Sequence, residues 1–480
     1  MRQTSKINFL FAAFSLSVAG FTASAQEVIT IQQAIDKTLN NNLQVKQAQF
    51  SAALSDESFK QSKNALLPTL NASASGNRNF GRSIDPSTNQ FISQQFNSAN
   101  GSLSTSIDLF AGGQKVNQIK QNKLLLEADK TNVEKIKNDL ILQVVTSYMQ
   151  ILFNKDLLKA AQQQLEVAKQ TLNQQQQLLE VGNKTLADIS QAKSQVATSE
   201  LEVTNAQNNL TISYLTLNQL MELPSDNKFE VQAPLVDAMA IAKNSYSAPE
   251  VVSTAMSAFP DIKLASIRTQ AAEKAIDVAR GTYYPRLSFG AGLGSNYSSG
   301  RQKVTEIDNG FKEVVIGQVR GTMQPVVTET PDIVRILSNQ VFGSQIRDNF
   351  NQFVGINLSI PIFNGFQARS NVRRAKINYQ NAQVDEQLSK NNLNKVIFQA
   401  VADLRAAESR YESTTNAFAA QKDAFFVIEQ RYNVGLANSV EFSTAQTNRN
   451  KSEIDMIQAK YDLLFKSKVI DYYLGKQIAF

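Results

Sequence analysis

The chain has 480 residues, of which 42% are apolar and 19% are charged, so the composition excludes an intrinsically disordered protein. It contains no Cys, His or Trp, which excludes disulfide scaffolds, thiol nucleophiles, Ser-His-Asp triads and the common zinc sites. Its net charge of +6 is mild, and no basic run is dense enough to bind nucleic acid. No motif indicates a cofactor, a metal or catalysis, and the sequence therefore predicts a protein that is not an enzyme.

The first 25 residues, Met1 to Ala25, have the pattern of a secretory signal peptide. Arg2 and Lys6 form a basic start, residues 7–20 are largely apolar, and Ala23-Ser24-Ala25 is a small-residue cleavage site. An uncleaved membrane anchor is the alternative interpretation, but this apolar core is short for a helix that needs about 20 residues to span a membrane. We expect an exported protein whose mature chain begins at Gln26.

The mature chain reads as two structural repeats, 26–248 and 249–480. Each repeat starts with a helix, 28–66 in the first and 250–283 in the second, that a proline ends. Two segments with alternating apolar and polar residues follow, each about ten residues long, which is the length of a tilted transmembrane strand. The strands flank a Gly-, Asn- and Ser-rich loop in the first repeat and a loop at 295–350, longer by 36 residues, in the second.

After its second strand, each repeat enters a very long helix with apolar positions at steps of three and four. Phe110 to Gly182 and Phe363 to Gly435 both span 72 residues, roughly 108 Å of helix, which is far longer than the core helices of ordinary domains. A shorter helix returns after each glycine. We expect the return helix of the first repeat to stack under 250–283, and that of the second to stack under 28–66.

Four strands per chain cannot close a barrel, and an open sheet edge is not tolerated in lipid. The strands must therefore be shared between chains, and a trimer would supply twelve. The fold class predicted is mainly α with a membrane β-barrel: a long antiparallel coiled-coil α-barrel plus four β-strands per chain, with a shared twelve-stranded barrel in a trimer. The strand residues predicted to face outer-membrane lipid are Ile107, Leu109, Ile356, Leu358 and Ile360.

The two reversals between long and return helices carry matching residues. Leu178 to Ile189 and Arg431 to Phe442 share a Val-Gly pair, with Gly182 and Gly435 lying 253 residues apart. An acid follows each glycine by six residues, Asp188 in one copy and Glu441 in the other. The glycines permit the reversal, because glycine adopts left-handed backbone at no steric cost.

This combination of repeat, strand and turn units resembles the TolC family of outer-membrane efflux proteins over essentially all of the mature chain. The resemblance implies a homotrimer in the outer membrane of a Gram-negative bacterium that extends into the periplasm. It also implies a closed periplasmic tip that meets a periplasmic membrane-fusion adaptor and an inner-membrane transporter. The function implied is export from that pump to the exterior, in efflux or type I secretion, without a cofactor and without nucleic acid.

The resemblance also implies a gate at the tip, formed by Tyr432, Asp188 and Glu441 beside Gly182, Gly435, Val434 and Arg431. We expect the Tyr432 hydroxyl to bond to the Asp188 carboxylate. The chain departs from the family pattern at Thr444, where a second acid is expected, and at Ala437, where an arginine is expected. Ordinary helix packing for Tyr432, and solvated surface acids for the other two, remain the alternatives at this stage.

Two other classes of protein compete with an export channel. A periplasmic coiled-coil scaffold or adaptor without a pore would have helical hairpins but no need for four strands of membrane length. An autonomous porin would need many more strands per chain and no helix of 72 residues. The exported substrate is not indicated by the sequence.

Overall fold

The computed structural model describes residues 27–84, 89–93, 95–233 and 246–476. The predicted signal peptide and part of the connector between the repeats lie outside these ranges. The elements of the first repeat are β1 (Glu27–Ile29), α1 (Ile31–Asn41), α2 (Leu43–Asn64), β2 (Thr69–Asn79), β3 (Ser83–Ile84), β4 (Phe91–Ile92), β5 (Phe96–Ala111), α3 (Gln114–Glu180), α4 (Leu186–Leu220) and β6 (Phe229–Val231).

The second repeat follows the same plan with additional strands. Its elements are α5 (Ala248–Ala258), α6 (Pro260–Arg280), a 3-10 turn (Gly281–Tyr283), β7 (Arg286–Ser298), β8 (Gln302–Gln318), β9 (Pro325–Asn339), α7 (Phe342–Asp348), β10 (Asn351–Ser359), α8 (Gln367–Asn433) and α9 (Ser439–Tyr473). The chain is mainly helical. Helices α3 and α8 both have 67 residues, and α4 and α9 both have 35, so the duplication in the sequence is also a duplication of the fold.

Among the described residues, no helix contains a segment that is both long and apolar enough to cross a membrane.

The structure divides into two compact units. Among the described residues, the first comprises those within 27–49, 133–260 and 390–476, and the second comprises those within 50–132 and 261–389. Each long helix therefore begins in the second unit and ends in the first.

In the first unit, a two-stranded parallel sheet joins the start of the described chain to the end of its first repeat. Strand β1 pairs with β6, placing Glu27 opposite Phe229 and Ile29 opposite Val231. The hydroxyl of Tyr148, on α3, lies 2.9 Å from the carbonyl oxygen of Ile29 and 2.8 Å from that of Gln232. Only 1% of Tyr148 is exposed, and this burial raises the pKa of its hydroxyl to about 12, so it remains a donor.

The predicted continuous helix at 28–66 is wrong, because the structure has β1, α1 and α2 there, with a break at Asn42. The Asn42 side chain donates to the carbonyl of Leu220 at the end of α4, and the backbone of Leu43 donates to the Glu222 carboxylate. The end of α4 therefore meets the α1–α2 junction.

The predicted pairing of the return helices is wrong as well. The far end of α9 meets α5, where the Phe259 ring contacts Tyr472 edge-on at 5.2 Å. Since α4 meets α1 and α2, each return helix lies against the short helices of its own repeat, not those of the other repeat.

In the second unit, the four predicted strands form one antiparallel sheet in the order β10-β7-β5-β2. The register brings most of their apolar positions to one face: Ile107 lies opposite Phe289, which lies opposite Ile356, and Leu287 lies opposite Leu358. The other face carries mostly polar residues and glycines, apart from Phe96 and Phe353, and Ser73 and Ser102 are joined there by a 2.8 Å hydrogen bond. The period-two pattern in the sequence thus corresponds to a sheet with two chemically different faces.

Two of the five residues predicted to face lipid lie at irregular positions. The register of β5 shifts between Asp108 and Phe110, so Leu109 is the extra residue of a bulge, and Phe110 takes the place opposite Leu287. Ile360 follows the last residue of β10. The alternation in the sequence is regular at both places, and the structure alone reveals where the ladder breaks.

The prediction of a loop at 295–350 is wrong in its secondary structure, because β8 and β9 form a long antiparallel hairpin there. The base of the hairpin is fixed by Gln345 of α7, whose side chain is completely buried. Its amide accepts from the backbone of Ser298 at 2.9 Å and donates to the carbonyls of Ser298 and Gln340 at 2.8 Å. The amide group makes the hydrogen bonds that a neighbouring strand would make, and it holds the hairpin to the end of β7.

We expect Tyr148→Phe to loosen the β1–β6 sheet. The substitution removes the hydroxyl donor from the Gln232 carbonyl and leaves the Ile29 carbonyl only the backbone N–H of Gln232, at a cost of about 1–3 kcal/mol. Backbone amides at residues 27–29 and 229–231 should then exchange with deuterium about 10-fold faster or more. Tyr379→Phe is the matched control, because that hydroxyl makes an exposed bond to Gln383 on the surface of α8. Unchanged exchange in Tyr148→Phe would show that the hydroxyl does not hold the sheet.

Candidate gate at the helix reversals

Both helix reversals are built around a glycine with left-handed backbone. The φ angles are +79° at Gly182 and +77° at Gly435, and no atom lies within 4 Å of the position of a Cβ at either residue. The glycines are therefore required by backbone conformation and not by crowding.

Hydrogen bonds close the two turns in the same way. The backbone of Asn183 donates to Leu178 at 2.8 Å, and that of Leu436 donates to Arg431 at 2.8 Å. The backbone of Gly182 also donates to Leu179 at 2.9 Å, and that of Gly435 to Tyr432 at 3.1 Å. Each pair of bonds is a Schellman motif, which satisfies the last carbonyls of the long helix. Arg431 also donates its guanidinium to the Leu436 carbonyl at 3.2 Å, whereas the Val434 side chain is exposed.

The paired acids are the third residues of the return helices and act as helix caps. Asp188 accepts from the backbone of Thr185 at 3.0 Å while Thr185 accepts from the backbone of Asp188, a capping box. Glu441 instead accepts from the side chain of Asn438, which caps α9. The conserved spacing of six residues after each glycine therefore places an acid in the first turn of a helix, where the macrodipole favours negative charge.

The two reversals contact each other within the first unit. Gln174 donates to the Asn433 side chain at 3.3 Å, and a hydrogen bond joins Asp188 to the Ser439 side chain. The backbone bond from Thr185, followed by the Ser439 bond, holds the pKa of Asp188 below its usual value, so the carboxylate stays charged.

The prediction of a hydrogen bond between Tyr432 and Asp188 is wrong, because both side chains bond to other residues. The hydroxyl of Tyr432 accepts from the side-chain amide of Gln175 on α3 at 2.6 Å. Both residues are buried, with 4% of each exposed. The Lys184 ammonium lies 4.1 Å from the centre of the Tyr432 ring, a cation–π contact from the other reversal.

Tyr432 is the centre of a small apolar cluster, which we call the turn cluster: Tyr432, Ala437, Phe442, Phe425 and Ile428. The Tyr432 and Phe442 rings stack with centroids 4.7 Å apart. Ala437, which stands where the family pattern has an arginine, is buried here, 9% exposed. Tyr432, which the sequence predicts as a gate residue, is thus buried in helix packing.

The sequence reasoning missed Gln175 and Phe442, and both had a detectable signal. The apolar stripe of α3 runs through Leu165, Ala168 and Leu172 at steps of three and four, and its next step is Gln175, a polar residue at a packing position. Phe442 follows Gly435 by seven residues, as buried Ile189 follows Gly182.

We predict that the Tyr432–Gln175 bond contributes to the local stability of the reversals. Tyr432→Phe leaves the buried Gln175 amide without its acceptor and should lose about 1–3 kcal/mol, and adding Gln175→Leu should recover most of it, because no orphaned donor remains. The readout is hydrogen exchange at the Asn183 and Leu436 amides.

Asp188→Asn is the control for the variants at Tyr432 and Gln175. Combined with Tyr432→Phe, it should give an additive loss, because the two side chains share no bond. Coupling between Tyr432 and Asp188, with none between Tyr432 and Gln175, would contradict the assignment.

In the part of the chain that the structure describes, no group of three or more Asp or Glu side chains is placed to hold a metal ion.

Comparison with known proteins identifies the family of this chain. The profile of the outer membrane efflux protein family matches residues 34–222 and 251–476. The outer membrane efflux protein BepC of Brucella suis is 19% identical over 98% of this chain and 90% of its own length. The outer membrane protein TolC of Escherichia coli is 21% identical over 96% and 85%.

Solved structures of outer-membrane channels share the fold. The outer membrane protein VceC of Vibrio cholerae superimposes with a TM-score of 0.71 at 16% identity, covering 92% of this chain and 94% of that one. The outer-membrane channel OprN gives a TM-score of 0.69 at 19% identity, covering 93% and 90%. The chain belongs to the outer membrane efflux protein family: it is a transport protein of the Gram-negative outer membrane that reaches into the periplasm, and not an enzyme.

Proposed function

We propose that three copies of this chain form one export duct, with a shared twelve-stranded barrel in the outer membrane and helices that form a tunnel in the periplasm. The observation that carries the proposal is the four-stranded sheet, which has one apolar face and two unpaired edges, β2 and β10, within the described chain. In lipid, such edges have to pair with another chain.

The apolar face is proposed to contact lipid, and the polar face to line the lumen. Val354, Ile356 and Leu358 of β10 are all more than half exposed, as an outer wall requires. Across the other face, Ser73, Ser102 and Asn357 present hydroxyls and amides suited to water. The family assignment does not support the alternative of a scaffold without a pore.

We propose that the reversals form the periplasmic tip and meet an adaptor and an inner-membrane pump. Val434, Leu436 and Val440 support this, because about 70% of each apolar side chain is exposed at the turn. An exposed apolar patch of this kind typically marks a surface that binds a partner. Two Pseudomonas putida relatives are named as antibiotic and toluene efflux pump outer membrane proteins, and these names support export of small molecules; type I secretion is the other form of export within the proposal.

The gate is proposed to be the turn cluster together with Gln175, Lys184 and Asp188. In a trimer, Asp188 and Glu441 would lie near the threefold axis, where carboxylates attract cations. The acidic caps and the buried Tyr432–Gln175 bond support a closed resting state held by side-chain contacts between the two reversals.

We predict that the sheet faces differ in their tolerance of charge. Ile356→Arg places a guanidinium on the proposed lipid face near the middle of β10 and should cost about 2–4 kcal/mol, whereas its neighbour Asn357→Arg points to the lumen. Heat-modifiable trimers in outer-membrane fractions should be lost in the first variant and retained in the second. Purified Asn357→Arg trimers should conduct in planar bilayers with lower cation preference than the parent. Equal assembly of both variants would contradict the face assignment, and an unchanged cation preference in Asn357→Arg would contradict its place in the lumen.

The β8–β9 hairpin is proposed to be extracellular, since its 36 additional residues are tolerated most easily beyond the membrane. An epitope inserted at Gly321, in the hairpin turn, should react with antibody on intact cells. The same epitope after Gly182 should react only after the outer membrane is permeabilised. The reverse pattern would invert the proposed topology.

A further inference from the structure

The four helices that connect to the four-stranded sheet lie in the same order as its strands. Asn122 of α3 donates to the Ser58 carbonyl of α2 at 3.2 Å, and Thr269 of α6 donates to the Ala382 carbonyl of α8 at 3.1 Å. Between these pairs, α3 packs against α6 through an apolar cluster of Ala128, Leu264, Ile267 and Leu124. The helix order α2-α3-α6-α8 therefore matches the strand order β2-β5-β7-β10.

The α3–α6 contact joins the two repeats, and we call it the inner seam. At its end near the sheet, a Cβ on Gly281 would lie 2.8 Å from the Cβ of Gln114. The two helices run in opposite directions, so fourteen residues further along each of them Ala128 comes opposite Ile267. Both of these side chains are buried, and glycine or alanine on one side lets the helices approach closely.

The two outer helices of the row, α2 and α8, carry the residues equivalent to the inner seam. The repeat offset of 253 residues relates α8 to α3, and Pro68 and Pro285, which lie 217 residues apart, relate α2 to α6. Phe50 then stands for Ile267, and Asn381 stands for Ala128. The neighbouring equivalents are Leu54 on α2 and Ile377 and Val384 on α8.

These equivalent positions are exposed, whereas those of the inner seam are covered. About 70% of Phe50 and of Leu54 is exposed, and half or more of Ile377 and Val384. Within the described chain, no other helix covers this side of α2 or of α8. Two apolar stripes on opposite flanks of one row of helices are typical of a surface that binds a partner.

The junction between β10 and α8 has an empty place that its counterpart fills. A Cβ on Gly112, before α3, would lie 2.4 Å from the carbonyl oxygen of Gly281, at the end of α6. At the equivalent Gly365, before α8, no atom of the described chain lies within 4 Å of that position. Since α2 is the counterpart of α6, the end of α2 in another copy is the piece that fits beside Gly365.

Opposite charges accompany the two exposed stripes. Arg373 on α8 and Glu57 on α2 are both exposed, about two turns nearer the sheet than Asn381 and Phe50. The equivalent residues of the inner seam, Lys120 and Lys274, have the same sign. An exposed ion pair adds little stability, but complementary charge favours the correct partner and alignment. The α8 flank is therefore complementary to the α2 flank in charge as well as in its apolar stripe.

We propose that α8 of one copy packs against α2 of the next, in an outer seam that repeats the inner seam with larger side chains. Phe50 of one copy lies opposite Asn381 of its neighbour, and Leu54 lies opposite Ile377. The proposal rests on the assembly of three copies proposed above and names the helical surface that joins them. The edge strands β2 and β10 lie on the same two flanks, so one contact closes both the sheet and the helical layer, as in a ring of heterologous contacts.

Disulfide formation tests the outer seam directly, because the chain contains no Cys. The double variant Phe50→Cys with Asn381→Cys, oxidised in outer-membrane fractions, should give covalent trimers on denaturing non-reducing gels. A disulfide needs Cβ atoms about 3.5–4.5 Å apart, which facing residues reach. A reductant should return the monomer band, and each single variant should give no covalent trimer.

Two matched pairs serve as controls. Ala128→Cys with Ile267→Cys places the thiols at the equivalent positions of the inner seam, so its disulfide should form within one chain and leave a monomer band. Phe50→Cys with Gln383→Cys moves one thiol two residues along α8, roughly 200° around the helix, to another exposed position. This pair should not cross-link the copies.

The native mass of the purified, unoxidised variants separates the outer seam from the duct. Trimers in which Phe50→Cys with Asn381→Cys stays monomeric on the gel, or cross-links no better than the Gln383→Cys pair, would overturn the outer seam and leave the duct intact. A covalent ladder that continues beyond three copies would support the seam and overturn the trimer. Monomers in solution and on the gel would overturn both.

Discussion

The left-handed backbone at Gly182 and Gly435 is the constraint on which the other features of the first unit depend. After a helix of 67 residues, the chain can return beside it only if the last carbonyls of that helix are bonded and the chain reverses its direction within a few residues. The Schellman bonds do both, and they fix where the return helix begins. The acid caps, the stacked Tyr432–Phe442 pair and the contact of one reversal with the other all follow from that placement.

Equal spacing in the repeats does not make the two reversals chemically equal. Asp188 forms a capping box with Thr185 and also bonds to Ser439, whereas Glu441 accepts only from Asn438 among the bonds described here. Tyr432, in the second copy, occupies the position of Leu179 in the first. The two reversals therefore share a backbone arrangement but differ in their side chains. The second presents Tyr432, and the first presents its partners Gln175 and Lys184.

The sequence predicted features that depend on local periodicity and missed those that depend on partners distant in the chain. Helix lengths, the four strands and both turns follow from steps of three, four and two residues. The break at Asn42 does not, since its cause is the carbonyl of Leu220, 178 residues away.

The sequence pattern predicts a loop where the structure has the β8–β9 hairpin, and the reason is related. Gly310 and the bulges beside it interrupt the alternation, and the hairpin base is held by buried Gln345. A glutamine that satisfies a strand edge has no signature in a linear pattern. The partner of Tyr432 was missed because an acid near the turn is a more obvious hydrogen-bond partner for a hydroxyl than an amide seven residues before the glycine.

The buried Gln175 amide limits how much the contact between the two reversals stabilises them. Gln175 donates to Tyr432, but its Oε1 atom is buried without a hydrogen-bond partner among the described residues. An unsatisfied buried acceptor typically costs about 1–3 kcal/mol, so this contact stabilises the reversals less than an apolar pair of the same shape would. Regions that move in function come from the less stable parts of a fold. In the duct proposed above, the reversals form the tip, and a half-satisfied amide there would hold a closed arrangement that is specific in geometry and weak enough to be exchanged.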